Sequence, residues 1–159
     1  MAVEIKEPKG LLDKAEHSLR TVDHIIYITY PLIKENRLLK KAIEQLYDIA
    51  NNIIESALRY ENMYKRIQMP KQEDYFETFR NKCSAKFNIN KDEIETLKEM
   101  FRIMEKHKES SFEFSRKEKL VIMSNNLRTE SIGIEQLKKY LNILKIILKK
   151  TQAKINKPI

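Results

Sequence analysis

From Leu39 to Ile67 the apolar residues Leu39, Ile43, Leu46, Ala50, Ile53, Ala57, Tyr60, Tyr64 and Ile67 follow one another in alternating steps of four and three. Such spacing keeps one face of a 3.6-residue helix apolar throughout, and a strand, with its two-residue period, cannot reproduce it. A helix of this length has to bury its stripe against other helices, and a heptad-like seam suits a neighbour crossing at a shallow angle. Ala50 and Ala57 allow close approach there, and Pro70 closes the segment.

The rest of the chain supplies the partners. After Pro8 and Gly10, a helical pattern opens at Leu11 and carries Leu12, Ala15, Leu19, Val22 and Ile26 on one stripe. Pro31 disfavours helical geometry at Tyr30, so this first helix is expected to end or kink there. Tyr75, Phe76, Phe79 and Cys83 indicate a shorter third helix that stops before Asn88–Ile89–Asn90. Asn90 with Glu93 three residues later has the spacing of a capping box. The helix behind it puts Ile94, Leu97, Phe101 and Met104 on one face. A last helix follows Ser131, with Ile134, Leu137, Leu141, Leu144 and Leu148 inward and Lys138, Lys139, Lys145, Lys149 and Lys150 on its other face. The expected fold is all-α: an up-and-down helical bundle of four to five helices in one domain over 11–150, flanked by a flexible start (1–10) and a frayed tail (151–159).

Residues 110–131 break the helical periodicity. Ser110 and Glu113 repeat the capping-box spacing, which suggests a short helical turn through Phe114. Leu120–Val121–Ile122–Met123 is a β-type run, and Asn125–Asn126 tolerates the positive φ of a tight turn. A small β-hairpin returning through Leu127 to Ile132 is therefore expected before the last helix.

Composition narrows the class of protein. Two Gly and four Pro in 159 residues are too few for the turns of an all-β fold. The formal net charge is +8, which favours solubility and attracts polyanions, although a Lys-rich solvated surface has the same composition. Cys83 is the single cysteine, so an intramolecular disulfide is excluded, and its spacing from Phe76 and Phe79 marks a small core residue. The opening MAVEIKEPKG has no apolar run of signal-peptide length, and no stretch reaches the ~20 apolar residues of a membrane span. A cytoplasmic protein without membrane association is the expectation.

The catalytic and metal patterns mostly fail. Helical di-metal sites place Glu three residues before His, and His17, His24 and His107 have Lys14, Thr21 and Met104 there instead. One cysteine makes a structural zinc site unsupported, so no metal and no cofactor is expected. Gly10 and Gly133 belong to no glycine series that could cradle phosphate. Tyr27, Tyr30, Tyr47, Tyr60 and Tyr64 could stack nucleobases beside basic residues, but at helical spacing such rings more often pack at the core edge.

The order of segments resembles the HEPN family, the higher eukaryote and prokaryote nucleotide-binding domain. The residues that carry the resemblance are LLDKAEHSLRTVDHIIYITYP, NNIIESALRYENMYKRI and HKESSFEFSRKEKLVIMSNNLRTESIGIEQLKKYL. Among its members the chain looks closest to small, archaeal-type stand-alone proteins. The resemblance implies a short bundle that pairs as a homodimer. In active members an Arg, a polar neighbour and a His line the dimer cleft and cut RNA. There the His acts as acid or base on a ribose hydroxyl while the Arg steadies the phosphate. Many members are paired with a small nucleotidyltransferase; others have lost the motif and serve as binding modules.

This sequence departs from the motif where it matters. After Arg116–Lys117 the positions for His hold Val121, Ile122 and Met123. After Arg80–Asn81 they hold Ala85, Lys86 and Phe87, and after Arg128–Thr129 they hold Gly133, Ile134 and Glu135. Arg102 and His107 keep the spacing, but with apolar Ile103 beside the Arg and on a different helix. The leading expectation is a non-catalytic, homodimeric HEPN-like module that binds RNA or a protein partner. The alternatives are a metal-independent RNase using Arg102 and His107, and a helical protein adaptor without nucleic-acid contact. For RNA, Arg116, Lys117, Lys119 and Arg128 on the irregular segment are the expected contacts, since the planar fork of Arg binds two phosphate oxygens at once.

Overall fold

A computed structural model describes residues 7–109, 112–116, 119–123 and 129–156 of the chain. Helix α1 (Pro8–His24) continues through a π turn (Ile25–Thr29) into α2 (Tyr30–Ile33). The long α3 spans Asn36–Met63. A 3₁₀ turn (Gln72–Asp74) leads into α4 (Tyr75–Thr78) and a second π turn (Phe79–Cys83), and α5 (Lys91–Glu109) follows. Strands β1 (Phe112–Arg116), β2 (Lys119–Met123) and β3 (Thr129–Gly133) precede α6 (Ile134–Ile155). The fold is an all-α helical bundle with a short antiparallel sheet before the last helix, as expected.

α1 and α3 are the most extensively packed pair and run antiparallel: Pro8 lies beside Tyr60 and Tyr64, while Lys14 and Ser18 face the Gln45–Glu55 stretch. α6 runs antiparallel to α1, since Gln152 reaches Glu16, Lys145 reaches Asp23 and Lys138 lies over Tyr27. α5 is antiparallel to α6, with Glu93 at Lys150 and Glu99 at Lys139. Every stripe residue from Leu39 to Ala57 is buried, with Ala50 and Ala57 fully packed against the neighbours. The core is continuous, running from Leu12 on α1 through Phe79, Cys83 and Phe87 to Leu148 on α6.

The capping box at α5 forms as the sequence suggests. The Asn90 N–H donates to Glu93 Oε1 at 2.9 Å, and the Glu93 N–H donates to Asn90 Oδ1 at 2.8 Å. The expected hairpin is present as β2–β3, and Leu120 pairs directly with Ile132. Leu120, Ile122 and Ile132 are all buried, so the inner face of the sheet closes one end of the bundle. The Asn125–Asn126 turn lies outside the described residues.

Several boundaries differ from the expectation. α1 begins at Pro8, not Leu11, because proline suits the first helical turn, where its missing N–H is an orphan anyway. Of the two outcomes expected at Pro31, the helix does not end, and the regular α-helix is interrupted instead by the preceding π turn, which shifts the hydrogen bonds to five residues, with the Tyr30 N–H on the Ile25 carbonyl. That loosens the turn into which the proline ring would otherwise press. The second helix stops at Met63 and not at Ile67. Lys65 adopts φ 58°, while its N–H bonds to the Asn62 carbonyl and the Arg66 N–H to the Glu61 carbonyl, a Schellman closure. The turn expected through Phe114 is instead strand β1, in keeping with the two-residue alternation of Phe112-Glu113-Phe114-Ser115 and its pairing to β2. The tail expected to fray from 151 is helical to Ile155, because Thr151 is buried and its hydroxyl donates to the Ile147 carbonyl at 2.8 Å.

No helix among the described residues is long and apolar enough to cross a membrane.

Candidate nucleic-acid interface

One end of the bundle gathers basic residues from three elements. The register of the β1–β2 ladder sets Arg116 directly opposite Lys119. Both positions of this pair carry cations in the sequence, and positive charge attracts phosphate. Lys119 is exposed, and its carbonyl accepts a hydrogen bond of 3.1 Å from Asn36 Nδ2 in the first turn of α3. That contact seats the strand pair on the start of α3. The adjoining sequence Lys34-Glu35-Asn36-Arg37-Leu38-Leu39-Lys40-Lys41 holds four cations against one carboxylate. Arg37 pairs with Glu35. The positive end of the α3 dipole adds to the same potential.

The loop before α3 is short because Lys34 takes a left-handed conformation, φ 56°, and its N–H caps α2 on the Tyr30 carbonyl at 2.7 Å. Tyr27 therefore lies at this same end, 41% exposed, with Lys138 Nζ 5.3 Å from its ring centre. Ile28, Leu32 and Ile33 are exposed beside it, Leu32 to 81%.

Lys117 and Arg128 lie outside the described residues, so of the four expected RNA-binding residues Arg116 and Lys119 are brought together. Asn36, Arg37 and Lys41 were not among the expected contacts, and Tyr27 was named only as one of five tyrosines that could stack bases. The signal available was the density of cations at 34–41, hidden because those residues also begin the strongest helical stripe.

The competing basic surface, the lysine face of α6, is largely neutralised. Lys145 Nζ lies 2.5 Å from Asp23 Oδ1, and Lys150 Nζ lies 2.7 and 3.0 Å from the two oxygens of buried Glu93. Lys138 and Lys139 reach Glu135 and Glu99 at 3.4 and 3.6 Å. Lys149 has no acidic partner among the described residues.

Arg102 and His107 do not form a joint site within the chain. Five residues on a helix separate them by about 140°. Arg102 is exposed beside Phe76 and Glu105, while His107 is buried towards α3, its Nε2 3.1 Å from Glu44 Oε1. Among the described residues no cluster of three or more His, Cys, Asp or Glu could hold a metal ion.

The opposite end of the bundle holds a buried ion cluster. Glu61 is fully buried; its Oε2 accepts from Arg66 Nε and has Lys86 Nζ at 3.6 Å. That hydrogen bond to Glu61 raises the Arg66 pKa above its usual value, and the guanidinium also lies 4.8 Å from the ring of Tyr64 and 5.5 Å from that of Tyr60. Burial, with the Glu61 charge second, pushes the Cys83 thiol up to about 12. A thiol so held is no nucleophile, since reaction needs the thiolate.

Comparisons with protein-family models, curated proteins and solved structures return no match to this chain.

Proposed function

We propose that this chain is a non-catalytic, HEPN-like helical module that binds single-stranded RNA at the bundle end built from β1, β2 and the start of α3. The observation that carries this reading is the pairing of Arg116 with Lys119, anchored through Asn36 beside the cations of α3. Phosphate contacts supply most of the affinity of sequence-independent RNA binding, and exposed Tyr27 offers a face on which a base can stack. Lys145 and Lys150 on α6 are held by Asp23 and by buried Glu93, which supports the choice of the other end. The separation of Arg102 from His107 supports binding without cleavage.

A salt titration of RNA binding tests this reading. Removing one cation that neutralises a phosphate of a single strand flattens the slope of log affinity against log salt by ~0.7. Replacing Arg116 and Lys119 together with Ala should therefore flatten it by ~1.4. Replacing Lys145 and Lys149 should change it less.

A second reading, a protein adaptor, is favoured by the exposed aliphatic residues Ile28, Leu32 and Ile33, which no nucleic acid requires. Absence of any salt-sensitive RNA binding would put that reading first.

A further inference from the structure

We propose that the cleft between α1, α3 and the Gln72–Asp74 turn binds an uncharged, hydroxyl-rich ligand of the saccharide class. The cleft encloses about 540 Å³, within the size range of small-molecule sites. Four carboxamides, Gln45, Asn51, Asn52 and Gln72, converge on it. Gln45 Oε1 is buried without a hydrogen-bond partner among the described residues. Asn51 and Asn52 are half-buried, and neither they nor Gln72 spend a side-chain hydrogen bond on another described residue. A half-buried amide offers two donors and an acceptor, and leaving them unused is costly unless water or a ligand meets them.

The charge of the lining selects the ligand. Lys14 is the single cation in the lining, against Asp48 and Glu55, and Glu55 Oε1 already accepts from Arg59 at 3.0 and 3.1 Å. With Lys14 offset by Asp48, the lining has no net positive charge to hold a phosphate or carboxylate ligand, yet its carboxylate oxygens accept hydrogen bonds from hydroxyls. The walls are mostly polar, which disfavours a lipid and also a nucleobase, whose faces require aromatic or apolar packing. The Tyr47 ring is already committed, edge-on to Phe101 at 5.6 Å. Half-buried Tyr75 remains to cover the C–H face of one sugar ring. Vicinal hydroxyls spaced for amide and carboxylate groups are what this lining can satisfy. The inference stands apart from the RNA reading, since it uses a different face of α3.

Saturation-transfer NMR on the full chain tests it, with a neutral gluco-disaccharide, adenosine and glucose 6-phosphate as probes. The disaccharide should receive saturation from the protein, and glucose 6-phosphate should bind at least tenfold more weakly. Asn51→Ala should abolish the disaccharide signal. Asp48→Asn, an exposed substitution that the fold tolerates, should narrow the discrimination against glucose 6-phosphate. A parent protein that gives no signal with the disaccharide, or that prefers adenosine or the phosphosugar, overturns the proposal. So does disaccharide binding left intact by Asn51→Ala in a folded protein.

Discussion

Arg66 lies over the ring of Tyr64 while its Nε donates to Glu61, a carboxylate with no exposure to solvent. The Schellman turn at the end of α3 makes this geometry, because Lys65 reverses the chain and returns Arg66 onto the last helical turn. Glu61 is the buried member of this pair and Arg66 the exposed one, so removing Arg66 leaves the carboxylate with Lys86 as its remaining cation. Arg66→Met should therefore destabilise the fold by ~1–2 kcal/mol, below the range for fully buried pairs. Glu61→Gln should cost less, and the double variant should be no less stable than Arg66→Met alone. Urea titrations of the three variants check the cycle.

Cys83 provides the pH prediction. Its thiol ionises near 12 in the folded chain against 9.0 ordinarily, so the unfolded state loses its proton first as pH rises. The Cys83 contribution to stability is therefore complete below about pH 9 and diminishes as pH climbs towards 12. A thiol reagent at pH 8 should leave native protein unmodified and label Cys83 fully once the chain is unfolded in denaturant.

Lys65, at φ 58°, occupies a position where helices usually place glycine. Lys65→Gly removes the clash of Cβ with the backbone and should stabilise the protein by ~1 kcal/mol, raising Tm by ~2–4 °C. A differential scan of the variant measures it.

The homodimer implied by the family resemblance would use the apolar surface at Met63 and Tyr64, exposed to 63% and 46% beside the groove with Pro8 and Ile155. Light scattering should return twice the 19.0 kDa chain mass, and Met63→Glu should return the monomer. A monomeric parent at high concentration removes the dimer from the account.

The order of helices was legible in the sequence because each carries a long stripe, and the Asn90–Glu93 box was legible because both partners sit within one turn. What stayed hidden depends on distant or purely conformational terms. The pairs Lys145–Asp23 and Lys150–Glu93 join residues far apart in sequence, so the α6 face read as basic when it is mostly neutralised. The left-handed turns at Lys34 and Lys65 carry no glycine to announce them. Ser110 and Glu113 imitate a capping box, although Phe112–Arg116 pairs as a strand. Of the expected RNA-binding residues Arg116 and Lys119 come together, but Asn36, which anchors them, gives no signal until the strand is docked.

The most direct test of RNA binding at the sheet end is an NMR titration of ¹⁵N-labelled protein with single-stranded RNA, followed by electrophoresis of the recovered RNA. The account predicts that the shifts concentrate at Tyr27, Asn36, Arg37, Lys119 and Gly133, that the amides of 145–154 stay in place, and that the RNA is recovered intact. Shifts centred on Lys145–Lys154 or on the Tyr60–Arg66 end, or RNA cut by the parent and spared by His107→Ala, would contradict it.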